Sequence, residues 1–281
     1  MIISVIVDSF IDSIRLLPFL LVTYLIMEYL EHKAGDKMQA AIRGAGQGGP
    51  VIGGILGVFP QCGFSAAASN LYAGRIITMG SLMAVFLSTS DEMLPILISE
   101  NVGAEMIVKV LAVKVVVAVV VGFVIDCIFS KSKKDMQIGH LCEQHHCHCE
   151  NGILKSALHH TLEIFLYILL ISFVLNLLIA WVGEDILGSV ILNRPVVGAM
   201  IAGLVGLIPN CAASVVITQL YLGGVLSAGA MIAGLLAGTG VGLLVLFRVN
   251  DNRRENLWFI GLLYVTGVVA GIIVELLGIT F

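Results

Sequence analysis

The sequence predicts an all-α polytopic membrane protein of about ten helices, built as two inverted repeats that each hold one re-entrant or broken helix pair. Three observations carry this expectation: the composition, the number of apolar runs, and a motif that occurs twice. Hydrophobic residues make up 58% of the 281-residue chain and charged residues 12%, with a mean hydropathy of +1.03. About a quarter of a soluble globular domain is charged, so lipid is the solvent this composition fits.

Apolar runs occupy roughly 10–30, 50–74, 76–98, 106–129, 157–181, 195–222, 225–247 and 257–278. Each is long enough for a helix to cross a hydrocarbon core of ~30 Å, which takes about 20 residues. Eight runs fall into two sets of four. The first carries Asp8, Asp12 and Arg15, lacks a basic leader and is followed by no small-residue cleavage site, so it is expected to stay as a membrane helix. The expected organisation is a first membrane repeat over 1–130, a His/Cys-rich linker over 131–155 and a second, inverted repeat over 156–281.

The repeated motif is Pro60-Gln61-Cys62-Gly63-Phe64-Ser65 and Pro209-Asn210-Cys211-Ala212-Ala213-Ser214, 149 residues apart (209 − 60). The register holds without a gap from 54–94 against 203–243. It pairs Gly57 with Gly206, Leu71-Tyr72 with Leu220-Tyr221, Gly80 with Gly229 and Ala84 with Ala233.

The loop charges turn duplication into inversion. If eight runs simply alternated, Lys33, Lys37 and Arg43 would lie on one side of the membrane and Lys131, Lys133 and Lys134 on the other. That violates the positive-inside tendency. If 50–74 and 195–222 each enter and return to the same side, all these basic loops, with Arg75, Arg248, Arg253 and Arg254, become cytosolic. Glu100, Glu105, Glu184 and Asp185 then lie outside. Each half has an odd number of crossings, so the second is inverted relative to the first. Broken helices meeting near the midplane build the sites of many secondary transporters.

Several groups in the apolar runs suit a cation. Ser88-Thr89-Ser90-Asp91-Glu92 interrupts one run, and a carboxylate at membrane depth costs ~2.5–3.5 kcal/mol on insertion scales, so such residues normally face a cavity. Pro95 suggests a further helix break there. The matching stretch in the second half is Gly238-Thr239-Gly240-Val241, so the carboxylates are not duplicated. At the doubled motif Gln61 pairs with Asn210, Cys62 with Cys211 and Ser65 with Ser214, offering an amide oxygen, a thiol and a hydroxyl from each copy. The same residues also fit backbone capping and small-residue packing. Asp8 and Asp12, and His159 or His160 with Glu163, stand three or four apart and can share a helix face. They are candidates for the two ends of a pathway.

His140, Cys142, His145, His146, Cys147, His148 and Cys149 crowd the linker. Imidazole and thiolate suit Zn²⁺ or Cu⁺, but the spacing is not that of a zinc finger, so a cytosolic capture arm is expected. The oxygen-rich membrane candidates suit Mn²⁺ better. No phosphate-binding loop or dinucleotide fingerprint is present, so transport is expected to run on a gradient, without a cofactor or nucleic acid. Lipid and the metal, as cargo, are the expected partners, with a homo-oligomer left open.

Pro60 to Ser65, Ser88 to Glu92, Ile208 to Ser214 and the His/Cys-rich linker before His159-His160-Thr161 together resemble the ten-span heavy-metal exporter family, whose members carry the names of manganese transporters or arsenic efflux proteins. The resemblance implies ten helices and export of a metal. The reading is therefore an inner-membrane exporter of a divalent metal, manganese or a heavier ion, and not an enzyme. An arsenical or oxyanion permease using Cys62 and Cys211 is the rival transporter. A membrane-bound metal sensor is the rival of another class.

Overall fold

A computed structural model describes residues 48–58, 62–90, 93–129, 195–279 and 281, with scattered helical positions, one or two at a time, between 14 and 25 and between 158 and 174. The linker and most of the first and fifth apolar runs lie outside the described residues. Ten helices are described, in two sets of five. The first set is α1 (Gly49–Leu56), α2 (Cys62–Ala73), α3 (Met79–Ser88), α4 (Met93–Ser99) and α5 (Ala104–Phe129). The second is α6 (Pro195–Gly206), α7 (Cys211–Leu222), α8 (Ala228–Ala237), α9 (Gly242–Val249) and α10 (Arg253–Leu276). From α2 and α7 onward, every helix of the second set starts 149 residues after its counterpart.

Local chemistry repeats as faithfully as the boundaries. Thr78 caps α3 by accepting from Ser81 N at 3.1 Å, and Ser227 caps α8 by accepting from Ala230 N at 3.3 Å. Such caps satisfy amides that the helix itself leaves without acceptors. α2 and α7 both end in a left-handed turn. Ile76 N bonds Leu71 O at 2.8 Å and Val225 N bonds Leu220 O at 2.9 Å, around Arg75 at φ 57° and Gly224 at φ 72°. Glycine takes this conformation without penalty. Arg75 does so while pairing with Glu255 at 3.0 Å.

The apolar runs at 76–98 and 225–247, expected as continuous spans apart from the break suggested at Pro95, are each divided in two. The first division precedes Pro95, which sits in the opening turn of α4, where its missing N–H would have had no intrahelical partner. With the doubled motif this makes four interruptions. Lipid cannot satisfy broken backbone, so such segments must be enclosed by protein. The two divided runs are: 75% of the apolar window within Met79–Ile98 and 94% of that within Ala228–Val249 is buried, against 22% for Ala104–Phe129. α5 and α10 flank the broken helices and turn Val108, Val116, Val120, Leu257, Val265 and Ile273 outward.

Close approach of glycines sets the packing. A Cβ on Gly122 of α5 would lie 2.8 Å from Gly80 O on α3, and the equivalent pair, Gly271 of α10 and Gly229 of α8, is in the same close opposition. Along α1, Gly49 and Gly53 lie against Ser81, Gly53 also against Val85, and Gly57 against Ser88. α1 and α3 therefore run side by side in the same direction, and α2 must carry the chain back between them. Phe86 and Phe259 meet edge to face with centroids 5.2 Å apart, tying α3 to α10.

Candidate functional site

The interruptions are built by hydroxyls and glycines. At the end of α3, Ser88 Oγ donates to Ala84 O at 2.8 Å and Thr89 Oγ1 to Val85 O at 2.7 Å. Both thereby turn back onto their own helix. Ser90 Oγ donates to Ser88 O at 3.0 Å and is buried. At the end of α8, Gly238 N bonds Gly234 O at 2.9 Å, and Gly240 takes φ 52° before α9 begins. Thr239, the counterpart of Ser90, is fully buried, and among the described residues its hydroxyl has no hydrogen-bond partner.

These interruptions converge. Ser65, in the first turn of α2, is buried and lies against Gly242 at the start of α9: a Cβ on Gly242 would fall 2.7 Å from Ser65 Oγ. One turn on, Ser69 Oγ bridges Ser65 O at 2.9 Å and Gly242 O at 2.8 Å. Ser214, the matching serine of the second motif, lies against Gly238. The serines of both copies thus flank the same break, Gly238 to Gly242.

Lys114 joins the remaining break to this place. It sits on the inner stripe of α5 with Val110, Ala118 and Gly122, and is 1% exposed. Its ammonium donates to Thr89 O, beyond the end of α3, and to Leu235 O, in the last turn of α8, at 3.1 Å. The C-terminal carbonyls of a helix lack internal donors and carry partial negative charge, so the ammonium offsets two helix ends at once.

Residues 1–194 match the family model ArsP_2, described as "Putative, 10TM heavy-metal exporter". The chain belongs to this family. No curated protein and no solved structure matches it. The family match ends before the second motif, and the 149-residue register is what ties Pro209-Asn210-Cys211 to the family's part of the chain. A multi-pass membrane protein follows from the family and from four helical stretches long and apolar enough to span: the unbroken Ala104–Phe129 and Arg253–Leu276, and the interrupted Met79–Ile98 and Ala228–Val249.

Of the exporter's candidate residues, Ser65, Ser90, Asn210 and Ser214 are placed by the structure. Asn210 is buried in the turn before α7, where Asn210 O accepts from Ala213 N at 3.3 Å. Cys62 and Cys211 open α2 and α7, with their side chains outside the described residues. Gln61, Asp91, Glu92, Asp8, Asp12, His159, His160, Glu163 and the linker ligands from His140 to Cys149 also lie outside them. Among the described residues no cluster of three or more His, Cys, Asp or Glu is assembled.

Sequence reasoning missed Lys114 and Thr239. The signal for Lys114 was available: with Lys109 nearer the end, it is a cation inside the apolar run 106–129, and an intramembrane charge points to function by default. Thr239 carries no such mark, since an isolated threonine among glycines becomes informative only once its hydroxyl is known to lack a partner. The donors that are placed are carbonyls and hydroxyls, which suit hard cations better than soft ones.

Proposed function

We propose that the chain exports a divalent metal ion from the cytoplasm, with Mn²⁺ as its leading substrate and a gradient such as that of protons as its driving force. The observation that carries this reading is the meeting of helix breaks at one lipid-sheltered place, one of them interrupted in sequence by Asp91 and Glu92. On this reading those carboxylates supply charge. Gln61, Asn210, Ser65, Ser90 and Ser214 supply neutral oxygens, and the linker from His140 to Cys149 is a cytosolic capture arm. Asp8, Asp12, His159, His160 and Glu163 stand at the ends of the pathway.

The repeats are read as inverted in the inner membrane, with the linker cytosolic. In support, Thr78 at the start of α3 donates to Asp126 at the end of α5 at 2.7 Å, while Arg75, close by in sequence, pairs with Glu255 in the first turn of α10. The starts of α3 and α10 would then share a face. α8 starts beside the far end of α10, where Gly229 N donates to Glu275 at 2.9 Å. The 24 residues of α10 separate those ends by about 36 Å. Equivalent helices α3 and α8 would enter from opposite faces. Arg75, Arg248, Arg253 and Arg254 would gather on one of them, the cytosolic one by the positive-inside rule.

The test is metal resistance in a sensitive host expressing Asp91→Asn at wild-type membrane levels, over Mn, Zn, Cd, Co, Cu, arsenite and arsenate, with elemental analysis of the cells. Loss of resistance is expected; undiminished resistance would sink the carboxylate assignment. Metal flux into proteoliposomes excludes a sensor that moves nothing. Lys114 favours one second reading, an arsenical or oxyanion permease, because a buried ammonium attracts anions. In that case Cys62→Ser/Cys211→Ser should fail against arsenite, whereas Mn²⁺ export should survive it.

A further inference from the structure

Lys114 is given no role in metal export above, yet it occupies the junction of the two repeats. Its ammonium is enclosed by protein and bonded to the carbonyls of Thr89 and Leu235, groups contributed by the ends of α3 and α8. Carbonyls released at helix ends are the groups that coordinate dehydrated cations in broken-helix transporters. An ammonium seated on two of them occupies a cation's position. Its counterpart in the second repeat is Leu263, buried and apolar, so the charge, like Asp91 and Glu92, belongs to one repeat only.

A second observation lies in the break that follows α8. Four residues after Leu235, Thr239 is fully buried and its hydroxyl has no partner among the described residues. A buried hydroxyl without a partner costs free energy, about 1–3 kcal/mol, and native proteins rarely leave one unless a ligand, ion or water completes it.

We propose that Lys114 is a tethered cation: in the empty carrier its ammonium fills the carbonyl end of the central site, and a bound metal ion displaces it toward other acceptors. This rests on the metal-export reading. A divalent ion and an ammonium cannot share the site without strong repulsion, so Lys114 weakens binding. In return it neutralises the helix ends while the empty carrier resets. Lys114 is a positioning residue, and its removal should separate binding from turnover.

The experiment uses the purified full-length protein, with Mn²⁺ binding followed by calorimetry and transport followed in proteoliposomes. Lys114→Gln should bind Mn²⁺ at least tenfold more tightly than wild type, keep Mn²⁺/Mn²⁺ exchange across the membrane, and lose most net efflux. A residue that merely holds the fold would lose exchange and binding together. Lys114→Arg, whose planar fork can donate to two carbonyls at once, should bind Mn²⁺ several-fold more weakly. That second prediction stands even if the glutamine variant does not fold. Equal or weaker binding by Lys114→Gln, or equal or tighter binding by Lys114→Arg, would overturn the proposal. Absence of Mn²⁺ binding by the wild-type protein would instead overturn the metal reading, and this inference with it.

Discussion

The carboxylate of Asp126 accepts a hydrogen bond from Gly80 N at 2.9 Å, closing the N-terminus of α3 from a helix 46 residues further along the chain. Thr78 donates to the same carboxylate. The second repeat copies the device with a longer side chain, Glu275 accepting from Gly229 N at 2.9 Å. Anionic acceptors at a helix N-terminus satisfy orphan amides and oppose the positive end of the dipole. Asp126→Ala and Glu275→Ala should therefore each cost about 1–3 kcal/mol. Asp126→Asn should cost less, because an amide oxygen can still accept from Gly80. Melting in detergent checks this, and an unchanged midpoint for both alanine variants would refute it.

The interruption at Gly238-Thr239-Gly240 was not anticipated, since 225–247 reads as one apolar run, whereas the two repeats and the doubled breaks were legible because duplication leaves its trace in register and Pro-x-Cys disrupts each apolar run. Asp126 and Glu275 were not. They are equivalent under the 149-residue register (275 − 126), but they differ in side-chain length, and their shared role is visible only through the glycine amides they hold. The interruption near Pro95 was anticipated, and it falls just before that proline. A proline marks where a helix can start as well as where it fails, and Ser88 and Thr89 end α3 first by bonding back to Ala84 and Val85. Lys114 was passed over because one lysine among valines barely alters the apolar pattern that locates a span.

Gly206 and Gly261 should respond in opposite directions to the same substitution. A methyl group on Gly206 would strike the Gly234 backbone where α6 crosses α8, whereas one on Gly261 meets nothing within 4 Å. Gly206→Ala should lower the yield of monodisperse protein. Gly261→Ala, inside α10, should be neutral or stabilise by up to about 1 kcal/mol through helix propensity. Size-exclusion profiles and melting curves of the pair give the comparison. Equal behaviour would mean that the α6–α8 crossing is looser than described.

Thr239→Val keeps the shape of the side chain and deletes the hydroxyl that lacks a partner. Removing an unsatisfied buried polar group is neutral or stabilising. If that hydroxyl completes a bound ion, the variant should melt at or above the wild-type temperature while binding Mn²⁺ several-fold more weakly. A variant that loses stability, or one that binds as wild type does, would show that Thr239 only shapes the turn between α8 and α9.

Asp251 and Val102 are equivalent under the 149-residue register, each lying just ahead of the last helix of its set, and Glu100 stands two residues before Val102. Repeats of the same orientation would therefore place Glu100 and Asp251 on one side of the membrane. Inverted repeats would separate them. Both residues are exposed, so single cysteines can be placed at either position in a protein whose six native cysteines are replaced. With an impermeant maleimide on intact cells, Glu100→Cys should label directly and Asp251→Cys only after permeabilisation. Leu277→Cys, exposed beyond the end of α10, should follow Glu100→Cys because that helix crosses back. Labelling of positions 100 and 251 from the same side would leave the duplication standing and remove the inversion, and with it the argument that two oppositely directed sets of broken helices enclose one central site.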